Sequence, residues 1–261
     1  SLKNLSCFSN LTESLKDTTF VQENAPENEK IKKELLKKID NLISKKIIIA
    51  SSSSGLLPSK IQSKCKYPDR VIIGHPFNPV YLLPLVEIVK GEKTSETAVN
   101  KIKKIYENIG MKPLIVKKEI EGYISDRLQE ALWRESLHLI NDGIATTEEI
   151  DNAIVYGPGL RWAFMGVCLT FHLAGGESGM KHMLEQFGPA LKLPWTKLKA
   201  PELNKKLKNL MISGTKKQAG KFSIEELEKQ RDIFLIEIMK TLNHNQKNNF
   251  PNWGKKYNNF K

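Results

Sequence analysis

Residues 46–89 read KIIIASSSSGLLPSKIQSKCKYPDRVIIGHPFNPVYLLPLVEIV, and their pattern decides how the rest of the chain is taken. Two short apolar runs, 47–50 and 71–74, are rich in β-branched residues, and each stops abruptly at polar ones. Continuous apolar runs of this length fit strands buried on both faces, as in a parallel sheet. The first run ends in Ser51, Ser52, Ser53, Ser54 and Gly55; the second ends in His75, Pro76, Phe77, Asn78 and Pro79. Open α/β sheets bind ligands at the carboxyl ends of their strands. A serine cluster and a histidine at two such ends make a candidate active site. From the pattern alone, a polar turn and a capped loop histidine account for them equally well.

Outward from this stretch, residues 19–24 read as a strand and 28–44 as an amphipathic helix. Ile31, Leu35, Ile39 and Leu42 recur at helical spacing, with lysines on the other face. A short helix is predicted near 58–63, a strand at 85–89, a helix at 98–109 closed by Gly110, and a last strand at 114–117. Strands alternating with helices predict βαβ units and a parallel sheet. After Gly122 the texture changes. Residues 124–141 read as a long helix with Ile124, Leu128, Ala131, Leu132, Glu135 and Leu139 along one side, ended by Gly143. Thr146-x-x-Glu149 and Ser223-x-x-Glu226 are capping boxes, the second opening a helix to about residue 242. The stretch 156–166 holds three glycines and is no simple helix, and 171–187 is helical in parts. The expected division is an α/β part over 1–120, a helical part over 121–245 and an Asn/Lys-rich tail over 246–261.

Composition narrows the classes. With 40% apolar residues and no apolar run near the ~20 residues that span a bilayer, a globular protein without a membrane segment is expected. The first residues, SLKNLSCFSNLTESLKD, have no apolar core of a signal peptide. The net charge of +12 raises a nucleic-acid partner. The lysines are scattered along helices among glutamates, so a solvated lysine-rich surface is the preferred reading. Cys7, Cys65 and Cys168 are far apart, odd in number and without metal-ligand spacing, which fits a reducing, cytoplasmic setting and no metal.

His75 and Glu87 lie twelve residues apart. If 71–75 and 85–89 are adjacent strands joined by the loop 76–84, the two side chains can meet at the sheet end. A carboxylate on one ring nitrogen fixes the tautomer and raises the basicity of the other, as a general base for a hydroxyl proton requires. Taken by itself this spacing is a weak signal.

Ser54, then His75-x-Phe77-Asn78-Pro79 twenty-one residues on, then Glu87 resembles the active-site run of the 3-hydroxyacyl-CoA dehydrogenase family. Glu23-x-x-x-Glu27 followed by Lys32 is similar to that family's cofactor-side loop, and Gly122-Tyr-Ile-x-Asp126-Arg127 to the start of its helical domain. The resemblance extends over residues 18–242. It implies a Rossmann-like parallel sheet, here incomplete, followed by an all-helical C-terminal domain that forms a homodimer. It also implies NAD as cofactor and oxidation of a 3-hydroxyl group. His75 would take the proton, Glu87 orient it, and Ser54 bind the substrate oxygen. Glu27, Lys32, Ser52 and Asn78 would face the nicotinamide side. Asp126 stands where the acyl-CoA branch carries Asn, and its role stays open between a salt bridge to Arg127 or Arg161, a raised pKa and attraction of a cationic substrate.

The run 157–166, GPGLRWAFMG, also departs from the acyl-CoA branch in its arginine and tryptophan. The resemblance there implies a zwitterionic small-molecule substrate, carnitine or a similar 3-hydroxy acid. Arg161 would take the carboxylate, and Trp162, Phe164, Trp133 and Tyr123 would take the quaternary ammonium. Each of these aromatics reads equally as helix-packing core. The chain holds no G-x-G-x-x-G run. By the resemblance, the opening strands and the pyrophosphate turn are absent, so the expectation is a fragment with exposed sheet edges that binds NAD poorly. A related dehydrogenase for gulonate or 3-hydroxybutyryl-CoA, and an inactive or nucleic-acid-binding remnant, are the alternatives.

Overall fold

A computed structural model describes residues 2–163, 166–197, 199, 202 and 204–245. They form two compact units, Ser1–Leu128 and Gln129–Lys261.

The first unit is built on a five-stranded sheet: β1 (Phe20–Glu23), β2 (Ile48–Ser51), β3 (Val71–Pro76), β4 (Leu85–Val89) and β5 (Lys112–Val116), in that spatial order. The β1–β2 and β2–β3 pairs are parallel, as expected. The sheet is nevertheless mixed, because β4 runs antiparallel to β3 and β5 parallel to β4. The reason lies in the connections. A parallel pairing needs a crossover of a dozen or more residues. The short loop 77–84 permits only a hairpin-like return, whereas 90–111 contains a helix and closes a parallel unit.

Residues of β2 and β3 alternate between two cores. Ile49, Val71 and Ile73 pack with Leu36 and Ile39 of helix α1 (Glu29–Leu42). Ile48, Ala50 and Ile72 pack with Ala98, Val99 and Ile102 of helix α2 (Glu96–Asn108). Burial on both faces is why these strands read as unbroken apolar runs. Gly74 lies directly under Tyr106 of α2. A Cβ there would sit 1.9 Å from the phenol oxygen, so the residue before His75 has no room for a side chain.

Helix α1 keeps half of its expected face: Ile39 is buried and Leu35 packs against the core, but Ile31 and Leu42 are each 46% exposed. Lys32, Leu36 and Asp40 are buried beside Ile39 instead. The burial cost of the lysine and the aspartate is offset by ion pairs with Glu23 and Arg70. Hydrophobic spacing cannot register such pairs.

The second unit is helical. Helix α3 (Ser125–Asn141) starts in the first unit and runs into the second, followed by α4 (Thr147–Val155), α5 (Pro158–Trp162), α6 (Gly166–Ala174), α7 (Gly179–Phe187), α8 (Lys205–Ala219) and α9 (Ile224–Asn245). The predicted capping boxes are formed. Thr146 and Glu149 close on α4, and Ser223 and Glu226 on α9. A small core joins Leu137 and Ile140 of α3 to Leu207 of α8, with Ile150 of α4 against it. Leu128 and Leu132, expected on the packed side of α3, are exposed instead. The tail 246–261 and Phe164 lie outside the described residues. Among the described residues, no helix is long and apolar enough to cross a membrane.

Candidate active site

The polar ends of β1 and β2 share one hydrogen-bond network around Glu23 and Glu27, and the end of β3 carries a second around His75 and Glu87. Strand alternation sorts the four serines after Ala50. Ser51 and Ser53 turn inward and are fully buried, Ser52 is half-buried and Ser54 is exposed. Ser51 Oγ donates to Glu23 Oε2 at 2.5 Å, and Ser53 Oγ to Glu27 Oε1 at 2.5 Å. The backbone N–H groups of Ser54 and Gly55 also donate to that same Glu27 oxygen, each at 3.1 Å. The loop after β2 is therefore wrapped around a carboxylate of this chain.

Lys32 anchors the arrangement from below. Its ammonium donates to Glu23 Oε1 (3.0 Å), Glu23 Oε2 (3.1 Å) and the Ala25 carbonyl (2.9 Å), and stands 3.7 Å from Glu27 Oε2. Its side chain is fully buried, with its donors occupied. It therefore acts on a ligand only through Glu23 and Glu27. Glu27 retains 43% side-chain exposure. Of the other residues expected on the cofactor side, Ser52 donates its backbone N–H to the Glu23 carbonyl at 2.9 Å, and Asn78 is exposed on the loop after β3.

His75 and Glu87 are direct register partners across the β3–β4 pair. His75 Nδ1 lies 3.1 Å from Glu87 Oε2. The other oxygen, Oε1, accepts the backbone N–H groups of Ile124 and Ser125, each at 3.0 Å. These are unsatisfied donors at the start of α3, where the helix dipole also favours an anion. Burial pushes the Glu87 carboxyl up, but the His75 hydrogen bond and the Ser125 and Ile124 amides together outweigh it and hold the group below its usual range. An ionised Glu87 requires a proton on Nδ1, and the lone pair of the neutral ring then sits on Nε2. That nitrogen faces Asp126, whose Oδ2 is 3.9 Å away.

Tyr123 closes the ring of contacts. It is buried edge-on to the imidazole, with centroids 5.6 Å apart, and donates its hydroxyl to the Leu56 carbonyl at 2.8 Å. Burial pushes its phenol pKa up strongly, so it stays a neutral donor. Its φ of +46° follows Gly122 at +71°. This left-handed pair of residues turns the chain so that the next two N–H groups point at Glu87.

Of the other expected residues, Trp133 is on α3, and Arg161 and Trp162 are on the five-residue α5, all in the second unit. Ser51, Ser53, Tyr123 and the α3 amides were not singled out as polar partners in the sequence. The signal that could have found the serines is period-two alternation at the end of a buried strand.

A carboxylate-oriented imidazole at the carboxyl edge of an α/β sheet, followed by a helical unit, fits the general-base site of a dinucleotide-dependent dehydrogenase. Comparison with known proteins gives the family. The NAD-binding domain of 3-hydroxyacyl-CoA dehydrogenase matches residues 1–120, and the C-terminal domain of the same enzyme matches 122–222. An L-carnitine dehydrogenase of Bacillus cereus is 57% identical over 232 residues, 89% of this chain and 71% of the relative. One from Pseudomonas sp. is 54% identical over 238 residues, 91% of this chain and 74% of the relative. Among solved structures, an NAD+-dependent dismutase, 5-formyl-3-hydroxy-2-methylpyridine 4-carboxylic acid 5-dehydrogenase, superposes with a TM-score of 0.75. It is 27% identical, and the match covers 89% of this chain and 76% of that one. The chain belongs to the 3-hydroxyacyl-CoA dehydrogenase family.

NAD is the cofactor of the matched domain. The donor set at the sheet end suits its nicotinamide half. Glu27 offers a partly exposed carboxylate for ribose hydroxyls, and Asn78 an exposed amide with both a donor and an acceptor. The 261 residues contain no G-x-G-x-x-G turn for the pyrophosphate.

Proposed function

We propose that this protein oxidises the 3-hydroxyl of L-carnitine to the 3-keto compound with NAD. The observation that carries the chemistry is the Glu87–His75 pair at 3.1 Å, with Nε2 turned to the partly exposed Asp126. The substrate reading rests on relatives above 50% identity that are named L-carnitine dehydrogenases.

His75 Nε2 takes the hydroxyl proton, and Glu87, kept ionised by His75 and the two α3 amides, steadies the imidazolium that forms. The carbinol hydride passes to the nicotinamide when NAD is bound. The Ser54 hydroxyl lies at the exposed end of the serine loop, suited to hold the substrate oxygen. Glu27 would hold the ribose of the cofactor, and Lys32 keeps Glu27 in place by neutralising its inner side. Asn78 would hold the nicotinamide side by its amide.

The test is NADH formation by the purified protein with L-carnitine. His75→Gln should lower kcat about 10³-fold, within the range for losing a general base, with an unchanged melting temperature. Retained turnover in that variant rules out His75 as the base. Absence of carnitine oxidation by the wild type, alongside turnover of another 3-hydroxy acid, rules out the substrate.

We also propose a homodimer in a reducing, cytoplasmic compartment. Apolar side chains of the second unit support the dimer: Leu160, Phe171, Leu173, Phe187, Ile233 and Phe234 are all exposed. The free cysteines Cys7, Cys65 and Cys168 suit the compartment. Light scattering should give twice the chain mass, and a monomer at micromolar concentration would refute the dimer.

A further inference from the structure

We infer that Asp126 recognises the substrate's positive charge and thereby selects a cationic 3-hydroxy acid over a neutral one of the same shape. The inference rests on the carnitine reading above and deepens it.

Asp126 lies in the first turn of α3, on the opposite side of the imidazole from Glu87. Its Oδ2 is 3.9 Å from His75 Nε2, beyond hydrogen-bond length but next to where a reacting hydroxyl must sit. One third of its side chain is exposed, so it borders the open side of the site. An ionised carboxylate has no proton to donate to the substrate oxygen. It also opposes any negative charge that grows there as the hydroxyl proton leaves. For a neutral alcohol, Asp126 is therefore a liability at this position.

A cation carried beside the carbinol reverses the sign. In carnitine the trimethylammonium is on the carbon next to the carbinol carbon, so it enters the site together with the hydroxyl. Having no N–H, it makes no hydrogen bond and is held by charge at van der Waals distance. That requirement tolerates an offset of several ångströms. The chain as a whole is strongly basic, at +12. At the base, however, the carboxylates of Glu87 and Asp126 stand on either side of His75, 3.1 Å from Nδ1 and 3.9 Å from Nε2.

The test compares L-carnitine with the carbon isostere that lacks its cationic head, 3-hydroxy-5,5-dimethylhexanoate, in wild type, Asp126→Asn and Asp126→Glu. Binding of the non-reacting betaine 4-(trimethylammonio)butanoate is measured in parallel by calorimetry with NAD present. Asp126→Asn keeps shape and removes charge. It should lower kcat/KM for carnitine roughly 30-fold, between the strength of a charge pair in bulk water and one at a protein surface, and leave the isostere unchanged or raised. It should also weaken betaine binding by on the order of tenfold, while Asp126→Glu retains the preference. Equal losses on both substrates would mean that Asp126 acts on His75 alone, and the inference falls. It falls equally if the wild type does not bind the betaine, or if Asp126→Asn binds it unchanged. If the betaine binds in an Asp126-dependent way but carnitine is not oxidised, this inference stands and the assigned reaction fails.

Discussion

The two ends of the first unit's sheet both bury charge, and they do so differently. At the amino ends of β2 and β3, Arg70 donates to both Asp40 Oδ1 (3.1 and 2.6 Å) and the Asp40 carbonyl, and also to the carbonyls of Ser44 and Ile47. Asp40 Oδ2 accepts the Lys66 and Tyr67 amides. Both side chains are at most 2% exposed, and nothing in this pair faces a ligand. At the carboxyl ends, the Lys32–Glu23 pair is equally closed, but Glu27 beside it and Asp126 beside His75 remain 43% and 33% exposed. The same pairing rules thus make a closed pin at one end. At the other they make a scaffold that holds two partly exposed carboxylates, one of them beside the imidazole of His75. Backbone donors taken by side-chain carboxylates recur at both ends, and only the outer ring of charges separates stability from chemistry.

Breaking the pin tests this contrast most severely. Arg70→Met leaves the Asp40 charge buried without its partner and should cost about 3–5 kcal/mol of stability, read from denaturant unfolding. Activity per folded molecule should persist, because no residue of the pin reaches His75. A loss of kcat at full folding would mean that the two ends are coupled.

At the other end, Glu87→Gln keeps an acceptor for the Ile124 and Ser125 amides but presents an amide N–H to His75 Nδ1. That favours the tautomer with its proton on Nε2, which cannot accept the substrate proton. Turnover should fall about 10²- to 10³-fold with a smaller stability change, measured by kcat alongside thermal unfolding.

The smallest expected effect is in pH dependence. The Glu87 carboxyl is held below its ordinary value of 4.5. A depressed carboxyl contributes stability that is present above its unfolded pKa and lost as pH falls through the folded one. The Glu87 contribution should therefore be constant above about pH 5 and decline only below the ordinary carboxylate range. In Glu87→Gln that acid-side decline should flatten in unfolding measured against pH. An identical acid limb in wild type and variant would remove Glu87 from the linkage.

The legibility of the sequence follows the range of the forces involved. The strands 47–50 and 71–74 could be read because burial on both faces suppresses polar residues along a short local run. The capping boxes at Thr146 and Ser223 could be read because a cap is satisfied within four residues. The α1 face was legible at Leu35 and Ile39 but not at Lys32 and Asp40, whose burial is made tolerable by Glu23 and Arg70, partners outside the helix. Leu128 and Leu132 of α3 carry helical apolar spacing without being packed, since spacing reports a possible face and not a partner. Lys32 was expected at the cofactor, but its location beneath Glu27 depends on how β1 and α1 meet.

By itself, the sequence determined that His75 and Glu87 could share a sheet end, that serines cap the neighbouring strand, and which family the chain resembles. Local period and residue chemistry carry that much. The tertiary structure decided that β4 returns antiparallel, making His75 and Glu87 register partners. It also decided which serines turn inward to Glu23 and Glu27, that the start of α3 donates to Glu87, and that Asp126 stands at His75 Nε2. These are choices among pairings between residues far apart in the chain. Desolvation makes each choice nearly all-or-none, since a buried charge is either matched by donors or costs several kcal/mol.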